Sequence, residues 1–236
     1  MRVVATAITI TAACILAAGC GQSKEPTAQT TPTSPMITSF APLPLKQKIL
    51  PALLLSPEEI NAAMAAGGMA VTATNTQMSD DSSTMAPREC LAVDGAVQAP
   101  IYADSGFTDE LDVTLREPDA FTHYAQQAVV LFADPEQAKA FFAASAQQWP
   151  ACTHYRHTQT GSLWDVGPIS NKDGMLSTVT TQSNAKAGGW ACGRALTAHN
   201  NVVVDVNTCS PNPGDSAVKI AQQIAARVDK PPWQKP

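Results

Sequence analysis

The chain has 236 residues, and its 20 Asp and Glu residues outnumber its 15 Lys and Arg residues to give a formal net charge of −5. This acidic balance, without any cluster of basic residues, argues against a nucleic-acid partner and against electrostatic adhesion to anionic lipid. The length is sufficient for one domain of ordinary size with a hydrophobic core of its own.

The first twenty residues have the organisation of a bacterial lipoprotein signal. Arg2 supplies a positive charge, Val3–Leu16 form an apolar segment too short to span a bilayer, and small residues precede Cys20. We therefore predict that residues 1–19 are removed and that Cys20 carries the lipid, so that acyl chains attach the protein to a membrane surface. The alternative is an ordinary secretory peptide cleaved elsewhere, which also places the chain outside the cytoplasm.

The composition divides the mature chain into three parts. Residues 20–48 begin with the lipidated Cys20 and are rich in Thr and Pro. We predict a disordered stalk there, because too few apolar side chains are present to offset the entropy of ordering it. Residues 49–230 are the predicted folded domain, and residues 231–236 are a short C-terminal tail.

Three segments carry the signals of helices. The first starts at the capping box Ser56–Glu59, with Pro at the first helical position, and is predicted to stop at Gly67-Gly68. The second covers Asp134–Trp149 and starts with a similar cap, Asp-Pro-Glu-Gln. The third extends from about Asp215 to Val228 and has an apolar stripe at helical spacing.

Segments with strand character lie between these helices and follow one another through short turns. Such turns favour antiparallel neighbours, so the predicted fold class is α+β: an antiparallel β-sheet packed with helices in a single domain. Residues 79–99 are predicted to be a long loop pinned by Cys90. The predicted strands are Ala70–Met78, Leu111–Arg116, Tyr124–Phe132, Ser162–Ile169, Met175–Gln182 and the hairpin Trp190–Thr208.

The four cysteines beyond the signal region predict two disulfides, because an even number in an exported domain is typical of covalent bridges. Asn200-Asn201 favours a two-residue type I′ turn, which places Cys192 opposite Cys209 at a non-hydrogen-bonded pair. The Cα atoms of such a pair are close enough for a disulfide. The second bridge is then Cys90–Cys152.

The order of these features resembles that of the PknH-like extracellular sensor domain family. The resemblance covers about residues 49–229, and it consists of short motifs in a fixed order together with the four cysteines. The motifs that follow the capped first helix and Cys90 are Gln126–Phe132, Trp149–Cys152, Leu163–Gly167, Cys192–Leu196, Asn200–Val206 and Cys209.

The resemblance implies a single α+β domain with two disulfides and a deep cleft that receives a ligand. The family occurs at the outer end of a mycobacterial Ser/Thr receptor kinase and in small mycobacterial lipoproteins. It does not imply which ligand binds, since the family is defined as a sensor without a settled substrate. The sequence shows no kinase domain and no transmembrane helix, so we do not expect phosphotransfer.

Structural roles explain the residues that resemble catalytic or metal-binding motifs. Cys152, His154 and His157 have a metal-like spacing, but oxidation of Cys152 removes the thiolate ligand, so no metal site is expected. No hydrolase motif is present, and Ser105-Gly106 is explained as a turn. The acidic patch 109–112 lacks the ligand pattern of a calcium loop and is predicted to be a solvated face. We therefore predict neither an enzyme nor a cofactor.

Four residues are candidates for ligand contact. Trp164 and Trp190 lie near predicted strand ends, where a cleft could expose them, whereas Trp149 continues the stripe of the second helix and is assigned to the core. Arg194 and Asp205 lie diagonally across the predicted hairpin and can form an ion pair. Packing explains each of the four more simply, and ligand contact is the alternative.

The leading functional prediction is a cell-envelope lipoprotein, attached outside the cytoplasm, with a non-catalytic sensor domain. Its cleft would bind an envelope lipid or glycan. The alternative is a protein-interaction module that docks another envelope protein, such as a receptor kinase's outer domain. A cleft lined by apolar side chains would favour the first, and a flat exposed apolar patch with a shallow cleft would favour the second. A hydrolase would require a Ser, a His and a carboxylate within hydrogen-bond reach of one another.

Overall fold

The computed structural model describes residues 43–119 and 121–230. The predicted signal sequence, the lipidation of Cys20, most of the stalk and the C-terminal tail lie outside this part of the chain and stay predictions. Within the described residues, no helix has the length and apolar character needed to cross a membrane.

One antiparallel sheet of ten strands organises the domain. Its strands lie in the order β1-β3-β4-β10-β9-β8-β6-β5-β2, and β7 pairs with β8 beside this path. The predicted α+β class with an antiparallel sheet is confirmed. The strands are β1 (Ala70–Asn75), β2 (Met85–Ala86), β3 (Phe107–Arg116), β4 (Tyr124–Phe132), β5 (His154–His157), β6 (Leu163–Val166), β7 (Ser170–Lys172), β8 (Met175–Gln182), β9 (Ala191–His199) and β10 (Val202–Ser210).

Helices cover both faces of the sheet. The helices α3, α4 and α5 pack on one face, and α1, α2 and α6 pack on the other. Short 3-10 turns precede α1 and α3 and follow α5. The helices are α1 (Leu50–Leu53), α2 (Pro57–Met64), α3 (Leu91–Asp94), α4 (Ala99–Tyr102), α5 (Pro135–Gln148) and α6 (Ser216–Asp229).

The central strand β10 is buried along its whole length because both of its faces meet helices. Successive side chains of a strand point to opposite faces. Val203 accordingly joins the core beneath α5, whereas Val204 joins the core beneath α6. This explains why the strand sequence contains adjacent apolar residues instead of a simple alternation of apolar and polar ones.

The predicted hairpin register and both disulfides are confirmed. His199 pairs with Val202 across the turn at Asn200-Asn201, and Cys192 pairs with Cys209. The Cα atoms of Cys192 and Cys209 are 4.1 Å apart, and those of Cys90 and Cys152 are 5.0 Å apart. The second bridge ties the segment before α3 to the segment after α5.

The first two helix starts follow the predicted capping chemistry. The Ser56 Oγ accepts from the Glu59 N–H, while Glu59 Oε2 accepts from the Ser56 N–H at 2.7 Å. The Asp134 carboxylate caps α5 by accepting from the Gln137 N–H at 2.9 Å. The Gln137 Nε2 donates to the Asp134 carboxylate, and the Gln137 side-chain oxygen does not accept from the Asp134 N–H, so only half of a capping box forms there.

Several strand and loop boundaries differ from the predicted ones. The predicted strand 162–169 is shortened to β6, which ends at Val166, and β7 starts only at Ser170. Between them, the Gly167 N–H donates to the Val179 carbonyl, and a Cβ at Gly167 would lie 2.7 Å from that oxygen. The predicted strand 70–78 ends at Asn75. The predicted loop 79–99 contains β2 and α3. The short strands β2, β5 and β7 were missed, because two to four residues are too few to show a period.

The prediction that the acidic patch 109–112 is a solvated face is wrong. Strand β3 starts at Phe107, four residues before the predicted start, since its pairing with β4 continues through residues of low β propensity. This pairing places Glu110 and Asp112 on the face covered by other elements, where they are 5% and 1% exposed.

Candidate ligand-binding cleft

An open cleft of about 430 Å³ lies on the α3 side of the sheet. Its lining includes Gln126 and Asn207, which are contributed by β4 and β10, and the Cys192–Cys209 disulfide. The rest comes from β1, β3, β5 and the end of α3, and from the loops that follow β1, α3, β3 and β8. We call it the Trp190 cleft, and its lining includes Asp81, Asp94, Gln98, Phe121, Trp190 and Asn207.

Aromatic rings form one part of this lining. The ring centroids of Phe121 and Trp190 are 5.4 Å apart with an interplanar angle of 31°, and Tyr124 lies 6.4 Å from Phe121. Phe121 is 56% exposed although it is strongly apolar. Its loop is fastened by Glu117, whose carboxylate accepts from the His123 N–H at 2.8 Å and contacts the His123 imidazole at 2.5 Å.

Gln98 fixes a second part of the lining. Its amide nitrogen donates to Ser79 Oγ at 3.0 Å and to Asp81 Oδ2 at 2.8 Å, and its amide oxygen accepts from the Asp81 N–H at 2.9 Å. Gln98 itself is 4% exposed. Because every polar atom of this buried amide has a partner, the segment around Asp81 is held in one conformation.

An ion pair between Asp94 and His157 forms a third part. Asp94 lies at the end of α3, and His157 ends β5, so the pair joins the two segments that the Cys90–Cys152 disulfide also links. The His157 Nε2 is 2.9 Å from Asp94 Oδ1. This hydrogen bond, with the negative charge of Asp94, raises the pKa of His157 above its ordinary value.

The sheet contributes side-chain amides to the cleft. Gln126 donates to Asp112 Oδ1 at 2.9 Å, and Asn75 donates to the same oxygen at 3.3 Å. Asn207 donates to the Asp94 carbonyl at 3.0 Å. Burial raises the pKa of Asp112, while the two amides partly offset this effect by bonding the charged form.

Neither Lys nor Arg is present among the described residues that line the cleft. The lining therefore combines aromatic rings, amides and carboxylates, and its volume is in the range typical of small-molecule sites. Such a surface fits a small polar ligand with a flat face. An anionic ligand is disfavoured, because Asp81 would repel it and no Lys or Arg side chain among the described lining residues offsets that charge.

Of the four predicted ligand-contact residues, Trp190 lines the cleft. Trp164 is 6% exposed and lies elsewhere, stacked on Tyr155 with ring centroids 5.9 Å apart. The guanidinium of Arg194 and the carboxylate of Asp205 lie in the core, with only 2% and 1% of these residues exposed. Both Nη groups of Arg194 and both carboxylate oxygens of Asp205 have protein partners, whereas the buried Arg194 Nε has none among the described residues.

The ion pair predicted between Arg194 and Asp205 is confirmed, with Nη1 and Oδ1 2.7 Å apart. Asp205 Oδ2 also accepts from the Tyr102 hydroxyl at 3.0 Å and from a backbone N–H. The Arg194 guanidinium lies over Trp149, 5.2 Å from the ring centroid. Trp149 is buried in the core as predicted.

The residues with a metal-like spacing have separate partners. Cys152 is bonded to Cys90, His154 Nδ1 lies 3.1 Å from Thr153 Oγ1, and His157 pairs with Asp94. Ser105-Gly106 lies in a turn as predicted, with φ of 81° at Gly106.

Sequence reasoning missed Phe121, Asp81, Asp94 and Gln98 as cleft residues. They come from three separate parts of the chain, the loops at Asp81 and Phe121 and the segment from Asp94 at the end of α3 to Gln98, so no local spacing connects them. One signal was available in the cysteines: Asp94 follows Cys90 by four residues, and Trp190 precedes Cys192 by two. The two disulfides bring these segments to one side of the sheet.

A second groove, of about 460 Å³, lies between α6 and the β7–β8 hairpin. Its lining includes Lys172 and the pair His199 and Asp229, whose polar atoms are 3.0 Å apart. Among its described lining residues there is no Phe, Tyr or Trp. It therefore lacks the aromatic surface that distinguishes the Trp190 cleft.

Comparison with known proteins places this domain among extracellular domains. A family model described as "PknH-like extracellular domain" matches residues 45–227. The serine/threonine-protein kinase PknH of Mycobacterium bovis is 33% identical over 194 residues, which cover 80% of this chain and 32% of the kinase. The same kinase of Mycobacterium tuberculosis strain H37Rv is also 33% identical over 194 residues, covering 80% of this chain and 31% of the kinase.

A comparison with solved structures also finds an extracellular domain of PknH. The crystal structure of the extracellular domain of PknH from Mycobacterium tuberculosis matches with a TM-score of 0.74 and 32% identity, covering 80% of this chain and 98% of that domain. The match thus spans nearly all of the solved domain but only about a third of the length of the curated kinases.

Proposed function

This chain belongs to the PknH-like extracellular domain family, and on that premise we propose that it is a non-catalytic sensor domain that binds its ligand in the Trp190 cleft. The observation that carries the proposal is the exposed Phe121 ring beside Trp190, in a cleft whose loops are fixed by Gln98 and by the Glu117–His123 contact. An aromatic surface with polar groups around it is typical of sites that recognise small molecules.

The composition of the cleft favours a glycan over a lipid. A lipid chain requires a continuous apolar channel, whereas half of this lining consists of amides, hydroxyls and carboxylates such as Gln126, Asn207 and Asp94. A sugar offers hydroxyl groups to those polar atoms and an apolar ring face to Phe121 or Trp190. The proposed ligand is therefore an envelope glycan.

The location follows from the N-terminal sequence. Lipidation at Cys20 holds the domain on the outer side of a membrane, and the Thr/Pro-rich residues 20–48 keep it at a distance from the lipid surface. Membership in a family of extracellular domains supports the same side of the membrane.

The absence of catalysis is supported by the environment of the histidine in the cleft. Within the described part of the chain, the His157 imidazole is hydrogen-bonded to Asp94 and to no Ser, Thr or Cys side chain. A nucleophile and a base within hydrogen-bond reach are what nucleophilic catalysis requires.

Protein docking has weaker support. The largest exposed apolar side chains among the described residues lie on different elements, such as Val71 on β1, Phe107 on β3 and Val179 on β8. Isolated exposed apolar residues are normal on a protein surface, whereas docking sites are usually contiguous patches.

Native mass spectrometry of the purified domain incubated with envelope glycan and lipid extracts tests the proposal. We expect a bound glycan with the unaltered domain and a weaker signal with Phe121→Ala, which removes an exposed ring and spares the core. The control Leu163→Ala removes an exposed side chain on β6, outside the cleft. Equal binding by both variants would place the ligand elsewhere, and no bound species from either extract would contradict ligand binding.

A further inference from the structure

Some polar atoms of the Trp190 cleft form hydrogen bonds with other protein groups, and others do not. The amide nitrogens of Gln98, Gln126 and Asn207 each donate to a protein acceptor. By contrast, Asp81 Oδ1 and Asn75 Oδ1 accept no hydrogen bond from the described residues. A ligand in the cleft therefore meets free acceptor oxygens on Asp81 and Asn75.

Asn207 gives the clearest example, because it is only 7% exposed. Its Oδ1 lies 3.7 Å from the Cys209 sulfur, but that sulfur belongs to a disulfide and has no proton to donate. Among the described residues, this buried carbonyl oxygen in the cleft lining consequently has no donor. A buried polar atom without a partner is unfavourable, so a ligand that donates to it gains affinity.

Asp81 supplies the uncompensated charge of the cleft. Asp94 is paired with His157, whose positive form offsets it. Asp81 accepts from the neutral amide of Gln98, and within the described residues it has no Lys, Arg or His within ion-pair distance. Negative charge therefore remains beside the aromatic rings.

A positive group is also favoured by those rings. Trp190 and Phe121 present π-faces, and cations bind to such faces because of the ring quadrupole. An ammonium group combines all three properties that the cleft selects: positive charge, several N–H donors and no acceptor.

We infer that the Trp190 cleft recognises a protonated amino sugar, with the ammonium group near Asp81 and Asn207 and the sugar ring against Phe121 or Trp190. This inference rests on the proposed function and specifies the class of glycan. An N-acetylated sugar is disfavoured, because its neutral acetamide brings no positive charge to Asp81 or to the faces of the aromatic rings. The volume of about 430 Å³ suits a few sugar rings rather than a polymer surface.

A matched pair of probes tests the inference. Glucosamine trisaccharide and N-acetylglucosamine trisaccharide have the same linkages and ring faces, and they differ in the charge of the amine. Isothermal titration calorimetry with the intact domain is expected to give at least about tenfold tighter binding of the glucosamine form. That affinity is expected to fall as salt rises, because part of it comes from partly exposed charges.

Charge-removing variants identify the site. Asp81→Asn keeps the side-chain shape and is expected to weaken glucosamine binding roughly five- to tenfold. Asp173→Asn removes the same charge from the exposed β7–β8 turn and is expected to leave the affinity unchanged. Circular dichroism spectra that match the unaltered domain exclude misfolding as the cause.

The outcomes separate the inference from the proposed function. Equal binding of both trisaccharides, lost in Phe121→Ala, would overturn the preference for an amine while supporting glycan binding in the cleft. Binding of neither trisaccharide would overturn the amino-sugar inference, and the extract experiment would then decide the proposed function alone. An equal loss of affinity in Asp81→Asn and Asp173→Asn would also overturn the amino-sugar inference. The net negative charge of the domain, rather than a contact with Asp81, would then explain the binding.

Discussion

At the scale of single residues, the buried carboxylates on the α3 side of the sheet differ sharply in the number of hydrogen bonds that they accept. Asp205 receives hydrogen bonds from Arg194, Tyr102 and a backbone N–H. Glu110 lies on the same face, and neither of its carboxylate oxygens has a hydrogen-bond partner among the described residues. Removing a partner of Asp205 is therefore expected to lower the free energy of unfolding, whereas removing the charge of Glu110 is expected to raise it at neutral pH.

Replacement of Arg194 by Met is expected to lower the free energy of unfolding by about 3 to 5 kcal/mol. The substitution leaves Asp205 as a buried charge without a cationic partner, and removing one member of a buried pair costs far more than the pair contributes. Urea unfolding followed by circular dichroism measures the change.

The control is Lys219→Met, which breaks the exposed pair between Lys219 and Asp215 on α6. Exposed pairs contribute at most about 1 kcal/mol, so this variant is expected to unfold at nearly the same urea concentration as the unaltered domain. Similar losses of unfolding free energy in both variants would show that the buried pair contributes no more to stability than the exposed pair.

Glu110 makes the stability depend on pH. Burial, and secondarily the charge of Asp112, raise the pKa of Glu110 from 4.5 to about 7. The folded state therefore binds a proton more tightly than the unfolded state, so this contribution is complete below pH 4.5 and is lost as the pH rises to about 7. The shift corresponds to an upper limit of about 3 kcal/mol.

Glu110→Gln is expected to remove this dependence, because glutamine stays neutral. The difference in unfolding free energy between the variant and the unaltered domain is expected to grow in favour of the variant from pH 5 to pH 8. Glu136→Gln, at an exposed position of α5, serves as control. A difference that stays constant over this range would show that Glu110 ionises in the folded domain without cost.

At the scale of elements, local chemistry explains which parts of the fold were predictable. The Ser56 capping box and the turn at Asn200-Asn201 act between neighbouring residues, so the start of α2 and the register of β9 with β10 could be derived from the sequence. Strand β3 extends beyond its predicted start because β4 pairs with it. That pairing has no local signal, so the burial of Glu110 could not be derived.

The candidate site was less predictable than the fold for the same reason. Trp190 was identified because it adjoins the hairpin, but Phe121 and Asp81 come from loops without periodicity. Their juxtaposition depends on which strands are neighbours in the sheet. The family resemblance provided the expectation of a cleft and did not indicate which side chains line it.

The two disulfides are expected to differ in their effect on stability. The Cys90–Cys152 bridge closes a separation of 62 residues, whereas Cys192–Cys209 closes one of 17 within a hairpin. The loss of conformational entropy in the unfolded chain grows with loop length. Replacing the first pair with Ala is expected to cost about 4 kcal/mol, and replacing the second about 3 kcal/mol.

Thermal unfolding of the two double variants tests this order. The Cys192→Ala, Cys209→Ala variant keeps the β9–β10 pairs on both sides of the bridge, so it is expected to retain the fold. A lower melting temperature for this variant than for Cys90→Ala, Cys152→Ala would contradict the entropic explanation.

At the scale of the whole molecule, the two helical layers share one sheet. Val203 and Val204 are adjacent in β10 and belong to the cores on opposite faces. If one helical layer unfolds, one face of β10 becomes exposed to water. The other helical layer packs on the opposite face of the same strand. We therefore expect the domain to unfold in a single cooperative transition rather than layer by layer.

Ile224→Ala tests this coupling from one face to the other. Ile224 is fully buried on α6, and truncation of such a residue typically costs about 2 to 5 kcal/mol. Trp149 and Trp164 belong to the opposite core, beneath α5, so tryptophan fluorescence reports largely on the layer that was not changed. The fluorescence and circular dichroism transitions are expected to shift together to lower urea concentration. A fluorescence transition that stays in place while the circular dichroism transition moves would show that the two layers unfold independently, and β10 would then not couple them.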